Sequence, residues 1–229
     1  MDTRPRSDGG RAVRLSRRLP RLFLVTNDDV VEDSAFVERA ASALVAGGRD
    51  CALQLRAHRA TGGRLFQLAR QLKAAAESAG ATLWLNDRID VALAAHADGV
   101  QLGTRSLKVA LARRLLGSSY WIGASVHSPA EAREGLARGA DVAVLGNVYA
   151  TASHPGRPPL GLEALRQAAV SRPIVAIGGI TPERVAEVIG RGAWGVAVLS
   201  GVWQVLDTAE AVRRYRQALA DAVRRPNSD

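Results

Sequence analysis

Short apolar runs in this sequence are followed by polar side chains whose types suit the binding of a small polar molecule. In chain order these side chains are Thr26, Asn27, Gln54, Arg56, Asn86, Asp87, Gln101, Ser125 and His127, with Thr151 and Ser153 in the loop after the sixth run. Amide, hydroxyl and guanidinium groups can hydrogen-bond a substrate, and a histidine exchanges a proton near neutral pH. His127 is therefore the candidate for proton transfer, and Arg56 is the candidate partner of a carboxylate or phosphate.

The last two apolar runs end in small residues instead. Gly178 and Gly179 follow the seventh run, and Ser200 and Gly201 follow the eighth. Small residues let backbone N–H groups point at an anion near the start of a helix. The two pairs together predict a phosphate site, although Gly178 and Gly179 taken alone could form only a tight turn.

These residues occupy equivalent positions because the chain repeats one structural unit. After Pro20, a short apolar run, a polar turn and a helix-period stretch recur in the pattern of parallel β/α units. Eight strands are predicted, at Leu22–Asn27, Ala52–Arg56, Thr82–Asp87, Gly99–Gly103, Trp121–His127, Asp141–Val148, Pro173–Ile180 and Gly195–Val202. Eight units close a (β/α)8 TIM barrel, whose active site lies at the strand ends. A doubly wound open sheet is the alternative, but no Gly-x-Gly-x-x-Gly follows the first strand. We predict a single-domain α/β fold, the TIM barrel.

The N-terminal segment differs in composition from the predicted barrel. Met1–Arg21 carry seven arginines against two aspartates, which accounts for five of the nine net positive charges of the 229-residue chain. Because this charge is not spread over a folded face, it gives no sign of a nucleic-acid partner. We expect residues 1–20 to form a disordered basic extension and residues 21–225 to form the barrel domain.

The composition is typical of a cytoplasmic protein. No apolar run reaches the roughly 20 residues that span a membrane, so no membrane partner is expected. The lone cysteine, Cys51, lies in an apolar run, which excludes an internal disulfide framework and indicates a reducing compartment. The expected partner is a small molecule, and a homo-oligomer is left open.

Eight segments, taken in order, resemble the thiamine phosphate synthase and thiazole tautomerase superfamily. They are LFLVTN, LQLR, LWLNDRIDVAL, ADGVQLG, IGASVHSPAEA, GADVAVLGNVYAT, PIVAIGGITPE and GVAVLSGV, within Leu22 to Tyr215. The resemblance implies a barrel that binds the phosphorylated thiazole moiety of thiamine (vitamin B1). It also implies that Gly178, Gly179, Ser200 and Gly201 hold the phosphate.

The synthase branch of this superfamily joins hydroxymethylpyrimidine pyrophosphate to thiazole phosphate, a reaction that calls for Mg²⁺ and for cations beside the departing pyrophosphate. Its pattern has Arg-Glu-Lys after strand 2, an Asp after strand 3, a second Asp after strand 4 and a Lys after strand 6. This chain keeps Arg56 and Asp87. It has Ala57-His58 in place of Glu-Lys, Ser106 in place of the second Asp, and His154 in place of the last Lys.

These departures favour the tautomerase branch. Its members are isomerases that aromatise a carboxythiazole phosphate in thiamine biosynthesis by moving one proton. On this interpretation His127 is the catalytic group, no cofactor is needed, and the substrate-binding residues are Arg56, Asn86, Ser125, Thr151 and Ser153. Asp87, which tautomerases often lack, is either a helix cap or a candidate metal ligand. The alternatives are a thiamine phosphate synthase that uses Mg²⁺ and a non-catalytic binder of thiazole or thiamine phosphate.

Overall fold

Eight parallel strands form a closed barrel in which each strand pairs with its neighbours in chain order and β8 returns to β1. The structure is a computed structural model that describes residues 18–151, 156 and 158–224. The strands are β1 Leu22–Val25, β2 Cys51–Leu55, β3 Thr82–Asn86, β4 Gly99–Leu102, β5 Trp121–Val126, β6 Val142–Gly146, β7 Ile174–Ile177 and β8 Gly195–Val198. The predicted (β/α)8 TIM barrel is confirmed, and the open sheet is excluded.

Helices alternate with the strands and cover the outside of the barrel. They are α1 Asp28–Glu32, α2 Phe36–Gly47, α3 Gly62–Ala79, α4 Ile89–Ala94, α5 Val109–Leu116, α6 Pro129–Ala137, α7 Gly161–Ala168, α8 Val185–Gly190, α9 Ser200–Trp203 and α10 Thr208–Arg224, with 3-10 turns at Gly48–Asp50, Ala169–Ser171 and Pro182–Arg184. No helix in the described part of the chain is long and apolar enough to cross a membrane.

The strands bury both of their faces, which explains why their sequences are nearly continuous in apolar residues. Alternate residues point outward against the helices, and the others form a separate core inside the barrel. Trp84 is fully buried in this inner core and meets the Phe23 ring edge-on at 5.2 Å between centroids. Gly99 and Gly123 on the next two strands leave room for the indole ring. A large side chain on β3 is thus matched by missing side chains on β4 and β5.

Several boundaries differ from the sequence prediction. Strand 8 was expected over Gly195–Val202, but it ends at Val198 and Ser200–Trp203 form the short helix α9. At the N-terminus, Pro20 is already buried and its carbonyl accepts a hydrogen bond from Trp194 Nε1 at 2.9 Å. Contacts with the barrel therefore begin before residue 21. Residues 1–17 of the basic extension predicted over residues 1–20 lie outside the described residues.

The packing of Trp84 against Gly99 can be tested by a substitution that adds a single methyl group. A Cβ added at Gly99 would lie 2.8 Å from a ring carbon of Trp84, so Gly99→Ala should lower the free energy of unfolding by about 1–3 kcal/mol through overpacking. The control is Gly63→Ala in helix α3, where an added Cβ has no heavy atom within 4 Å. The control should leave stability unchanged or raise it by up to about 1 kcal/mol. Equal urea midpoints for Gly99→Ala and the parent would contradict this packing account.

Candidate active site

A cavity of about 600 Å³ opens at the C-terminal ends of the strands. All parallel strands of a closed barrel end at the same rim, so the residues that follow them are brought together. Of the site residues proposed from the sequence, those that line this cavity are Arg56, Asn86, Asp87, Ser125, His127, Thr151, Gly178, Gly179, Ser200 and Gly201. Ser153 and His154 lie outside the described residues.

Gly178 and Gly179 adopt a backbone conformation that favours glycine. Their φ angles are 99° and 65°, in the region that residues with a Cβ rarely occupy. A Cβ on Gly178 would lie 2.7 Å from Asn147 Cα, and one on Gly179 would lie 2.6 Å from the Ala150 carbonyl oxygen. The loop after β7 therefore packs against the loop after β6 so closely that only glycine fits.

The loop after β7 is held by contacts on its outer side. Arg184 donates a hydrogen bond to the Gly179 carbonyl at 2.6 Å and stacks on the Tyr149 ring at 4.4 Å. Tyr149 in turn donates to Glu187 at 2.6 Å. Burial and this hydrogen bond raise the pKa of Tyr149 to about 12, so its hydroxyl stays a donor at neutral pH. The glycine loop is thus fixed without using its amide hydrogens.

Ser200 and Gly201 begin helix α9 beside that loop. Gly201 lies against the Tyr215 hydroxyl, which occupies the space of a side chain there and donates to the Ile180 carbonyl at 2.9 Å. Among the described residues, the N–H groups of the four small residues (Gly178, Gly179, Ser200 and Gly201) have no hydrogen-bond acceptor. Three of these residues are half-buried and Ser200 is exposed. Their N–H groups are therefore open to an anion, and this pair of loops is the common phosphate site of such barrels.

Amide and hydroxyl groups form two short chains of hydrogen bonds across the neighbouring strand ends. Gln54 donates to Asn86 at 2.9 Å, and Asn86 donates to Asp87 at 2.7 Å. Gln101 donates to the Ser125 hydroxyl at 2.9 Å, while the buried side-chain oxygen of Gln101 has no partner in the described part of the chain. This oxygen is fully buried against Gly123, so it is shielded from the cavity, and the Gln101 amide nitrogen is the group that holds Ser125 at the cavity wall.

His127 lies between β5 and β6 and is fixed at both its backbone and its ring. Its backbone N–H donates to Glu131 at 2.8 Å, and its Nδ1 lies 2.8 Å from the Gly146 carbonyl oxygen. Because a carbonyl oxygen can only accept, this contact requires a proton on Nδ1. In the neutral ring Nε2 is then an acceptor, so the side chain can bind a donor or take a proton.

Asp87 is neither a helix cap nor an open metal ligand. Helix α4 begins after Arg88 without a side-chain cap. The Asp87 Oδ1 atom accepts hydrogen bonds from the Gly103 N–H and the Ser106 hydroxyl, and its Oδ2 accepts one from Asn86. Three donors therefore occupy most of its lone pairs.

The Mg²⁺ that a synthase calls for fits this site poorly. Asp87 is the one carboxylate among the described cavity residues, and no group of three potential metal ligands occurs among the residues that the structure describes. Magnesium is held by one or two carboxylates together with substrate phosphates and waters. Asp87 is the single candidate, and with three protein donors already bound it can offer a metal ion at most one remaining lone pair.

Sequence reasoning missed Arg105, which follows β4 and lines the cavity together with Thr104 and His58. The signal was a cation three residues after the last residue of a barrel strand, in the loop that reaches the active-site rim. His58, named above only as a departure from the synthase pattern, also reaches this rim, two residues after Arg56. Arg105 adds positive charge to a cavity that already contains Arg56.

Known proteins similar to this chain match it over most of its length. A family model described as thiamine monophosphate synthase matches residues 22–202. The chain belongs to this family. It is 44% identical over 204 residues to the thiamine-phosphate synthase of Methanoculleus marisnigri, covering 88% of this chain and 96% of that protein. It is 42% identical over 181 residues to the thiamine-phosphate synthase of Moorella thermoacetica, covering 78% of this chain and 86% of that protein.

The fold comparison agrees with the family. A solved thiamine phosphate pyrophosphorylase from Pyrococcus furiosus superposes with a TM-score of 0.77 and 32% identity, covering 89% of this chain and 96% of that one. The tautomerase assignment made from the sequence is therefore wrong, and so is the isomerase class. It rested on individual side chains that are absent, whereas relatives about 40% identical over most of their length are named as synthases.

The glycine loop offers a direct test of the phosphate site. Gly179→Ala should weaken binding of inorganic phosphate by at least about tenfold, because the methyl group would force the loop away from Ala150. Gly48→Ala is the matched control, since Gly48 has a similar φ of 61° and meets no atom closer than 4.0 Å. Both variants should lose stability because of their positive φ angles, Gly179→Ala more than Gly48→Ala because only its methyl group meets the backbone. Calorimetry should show weaker phosphate binding only for Gly179→Ala. Equal phosphate affinity in both variants would place the anion elsewhere.

Proposed function

We propose that this protein is a thiamine phosphate synthase, a transferase that joins hydroxymethylpyrimidine pyrophosphate to thiazole phosphate. The observation that carries the proposal is a cavity with anion-binding groups at two separate places on its rim. Four small residues with available N–H groups follow β7 and β8, and arginines follow β2 and β4. In a ring of eight strands β4 stands opposite β8. Two phosphorylated substrates need two such places.

The reaction is a substitution at the methylene carbon of the pyrimidine. A bond forms between this carbon and the thiazole nitrogen, and the bond from the carbon to the pyrophosphate oxygen breaks. The pyrophosphate leaves with the electron pair, and no proton is gained or lost overall. The protein's task is therefore to hold both substrates in line and to stabilise the charge on the leaving group.

Each group of cavity residues has a role in this scheme. The N–H groups of Gly178, Gly179, Ser200 and Gly201 bind the thiazole phosphate. Ser125, held by the Gln101 amide at 2.9 Å, lines the cavity and hydrogen-bonds the pyrimidine ring's substituents. Arg56 pairs with the pyrophosphate. Thr26 holds the backbone of Arg56. Its hydroxyl accepts a hydrogen bond from the Arg56 N–H at 2.8 Å and donates one to the Arg56 carbonyl at 2.9 Å.

Incubation of the purified protein with both substrates and Mg²⁺ tests the proposal directly. Thiamine phosphate and pyrophosphate should appear in equal amounts over many turnovers, and omission of either substrate should abolish both products. Calorimetry on the same preparation separates synthesis from binding alone. If both substrates bind without turnover, the protein is a binder and not a transferase.

His127 gives a second test, because the substitution needs no net proton transfer. His127→Asn keeps an amide that can donate to the Gly146 carbonyl, so thiamine phosphate formation should slow by less than about tenfold. General acid–base catalysis would contribute about 10² to 10⁴. The measurement is the single-turnover rate between pH 6 and 9, with the parent protein alongside. A loss of 100-fold or more would show that a proton transfer limits the reaction, contrary to this scheme.

A further inference from the structure

Positive side chains outnumber negative ones in the candidate active site. Among its described lining residues are the guanidinium groups of Arg56 and Arg105, against the single carboxylate of Asp87. Neither guanidinium has an ion-pair or hydrogen-bond partner among the described residues. The next arginine, Arg59, differs from both, since it donates to Asp29 and Glu32 on helix α1 at 2.8 and 3.1 Å. The two cavity arginines are thus available to a ligand.

The loop that carries Arg105 is fixed by the carboxylate that a metal ion would need. Ser106 donates its hydroxyl to Asp87, and the Gly103 N–H lies 2.9 Å from the same oxygen. These contacts hold residues 103–106 at the rim and occupy the lone pairs of Oδ1. The site therefore offers a cation, Arg105, directly before Ser106, the position where the resemblance to synthases leads one to expect a second carboxylate.

We propose that Arg105, together with Arg56, binds the pyrophosphate of the pyrimidine substrate and supplies the positive charge that a divalent cation would otherwise supply. The inference rests on the proposed function. A guanidinium is always protonated and forms paired hydrogen bonds with phosphate oxygens. Arginine and Mg²⁺ are both used by enzymes to stabilise charge on phosphoryl groups.

The position of Arg105 also suits two substrates that both carry negative charge. Arg105 follows β4, across the ring of strands from the small residues that follow β8. A pyrophosphate held there is kept apart from the thiazole phosphate, which lowers their mutual repulsion. The leaving group then stays paired with the arginines as its charge increases.

Binding of inorganic pyrophosphate to the full chain tests this inference without any catalytic step. Calorimetry in EDTA should detect binding, and Mg²⁺ at matched ionic strength should strengthen it by no more than about threefold. In EDTA, Arg105→Ala should weaken binding roughly 10-fold to 100-fold, the range expected for hydrogen bonds to a charged group. Arg114→Ala is the control, because this substitution removes the same charge from a residue that is exposed on helix α5 and does not line the cavity. It should change the affinity by less than about twofold.

Removing the arginine and adding a second carboxylate should make pyrophosphate binding depend on Mg²⁺, a dependence that we do not expect in the parent protein. In the double variant Arg105→Ala with Ser106→Asp, a second carboxylate beside Asp87 should make pyrophosphate binding at least about tenfold tighter in Mg²⁺ than in EDTA. Two results would overturn the inference. One is a parent protein that binds pyrophosphate only with Mg²⁺, and the other is an Arg105→Ala variant that binds it in EDTA as tightly as the parent. Synthesis that proceeds only with Mg²⁺ would overturn it while leaving the proposed function intact. Metal-free pyrophosphate binding without synthesis would count against the function alone.

Discussion

The seam between the first and last strands is the contact on which the rest of the structure depends. Leu22–Leu24 pair with Val196–Val198, and the Val196 N–H donates to the Arg21 carbonyl at 2.8 Å. At the start of this seam Gly195 faces the Arg21 backbone, where a Cβ would lie 2.7 Å from Arg21 Cα. Because the seam closes, every strand has two neighbours and all eight carboxyl ends share one rim. Residues more than a hundred positions apart in sequence therefore line one cavity.

The architecture could be predicted from the sequence because it follows from repetition. Eight apolar runs separated by helix-period segments specify a closed barrel almost without regard to individual residues. The strand ends were less predictable, since apolar character continues past the last strand hydrogen bond. Val202, for example, is buried in helix α9 and was expected in a strand. Local apolar content does not distinguish a strand end from a short buried helix.

The site was predictable in position but not in chemistry. Residues at strand ends had to reach the rim, so Arg56, Asn86, Ser125 and His127 were placed there by topology alone. The tautomerase interpretation failed because it counted side chains that were missing relative to a pattern and did not count charges that were gained. The comparison with the synthase pattern did not identify Arg105, since the pattern has no characteristic residue at that position. The net charge of all side chains at the rim predicts the type of ligand better than single positions do, because a ligand interacts with the summed electrostatic field of these side chains.

The serine at position 106 and the arginine at position 105 belong to one electrostatic arrangement. Two carboxylates at positions 87 and 106 would repel each other unless a cation lay between them. A serine donates to Asp87 instead, so this pair needs no cation between its two side chains. Asp87 can then hold its left-handed backbone, at φ 62°, through the Gly103 N–H and the Ser106 hydroxyl. The contacts of Gly103 and Ser106 with Asp87 fix the backbone on both sides of Arg105, so its guanidinium starts from the rim of the cavity.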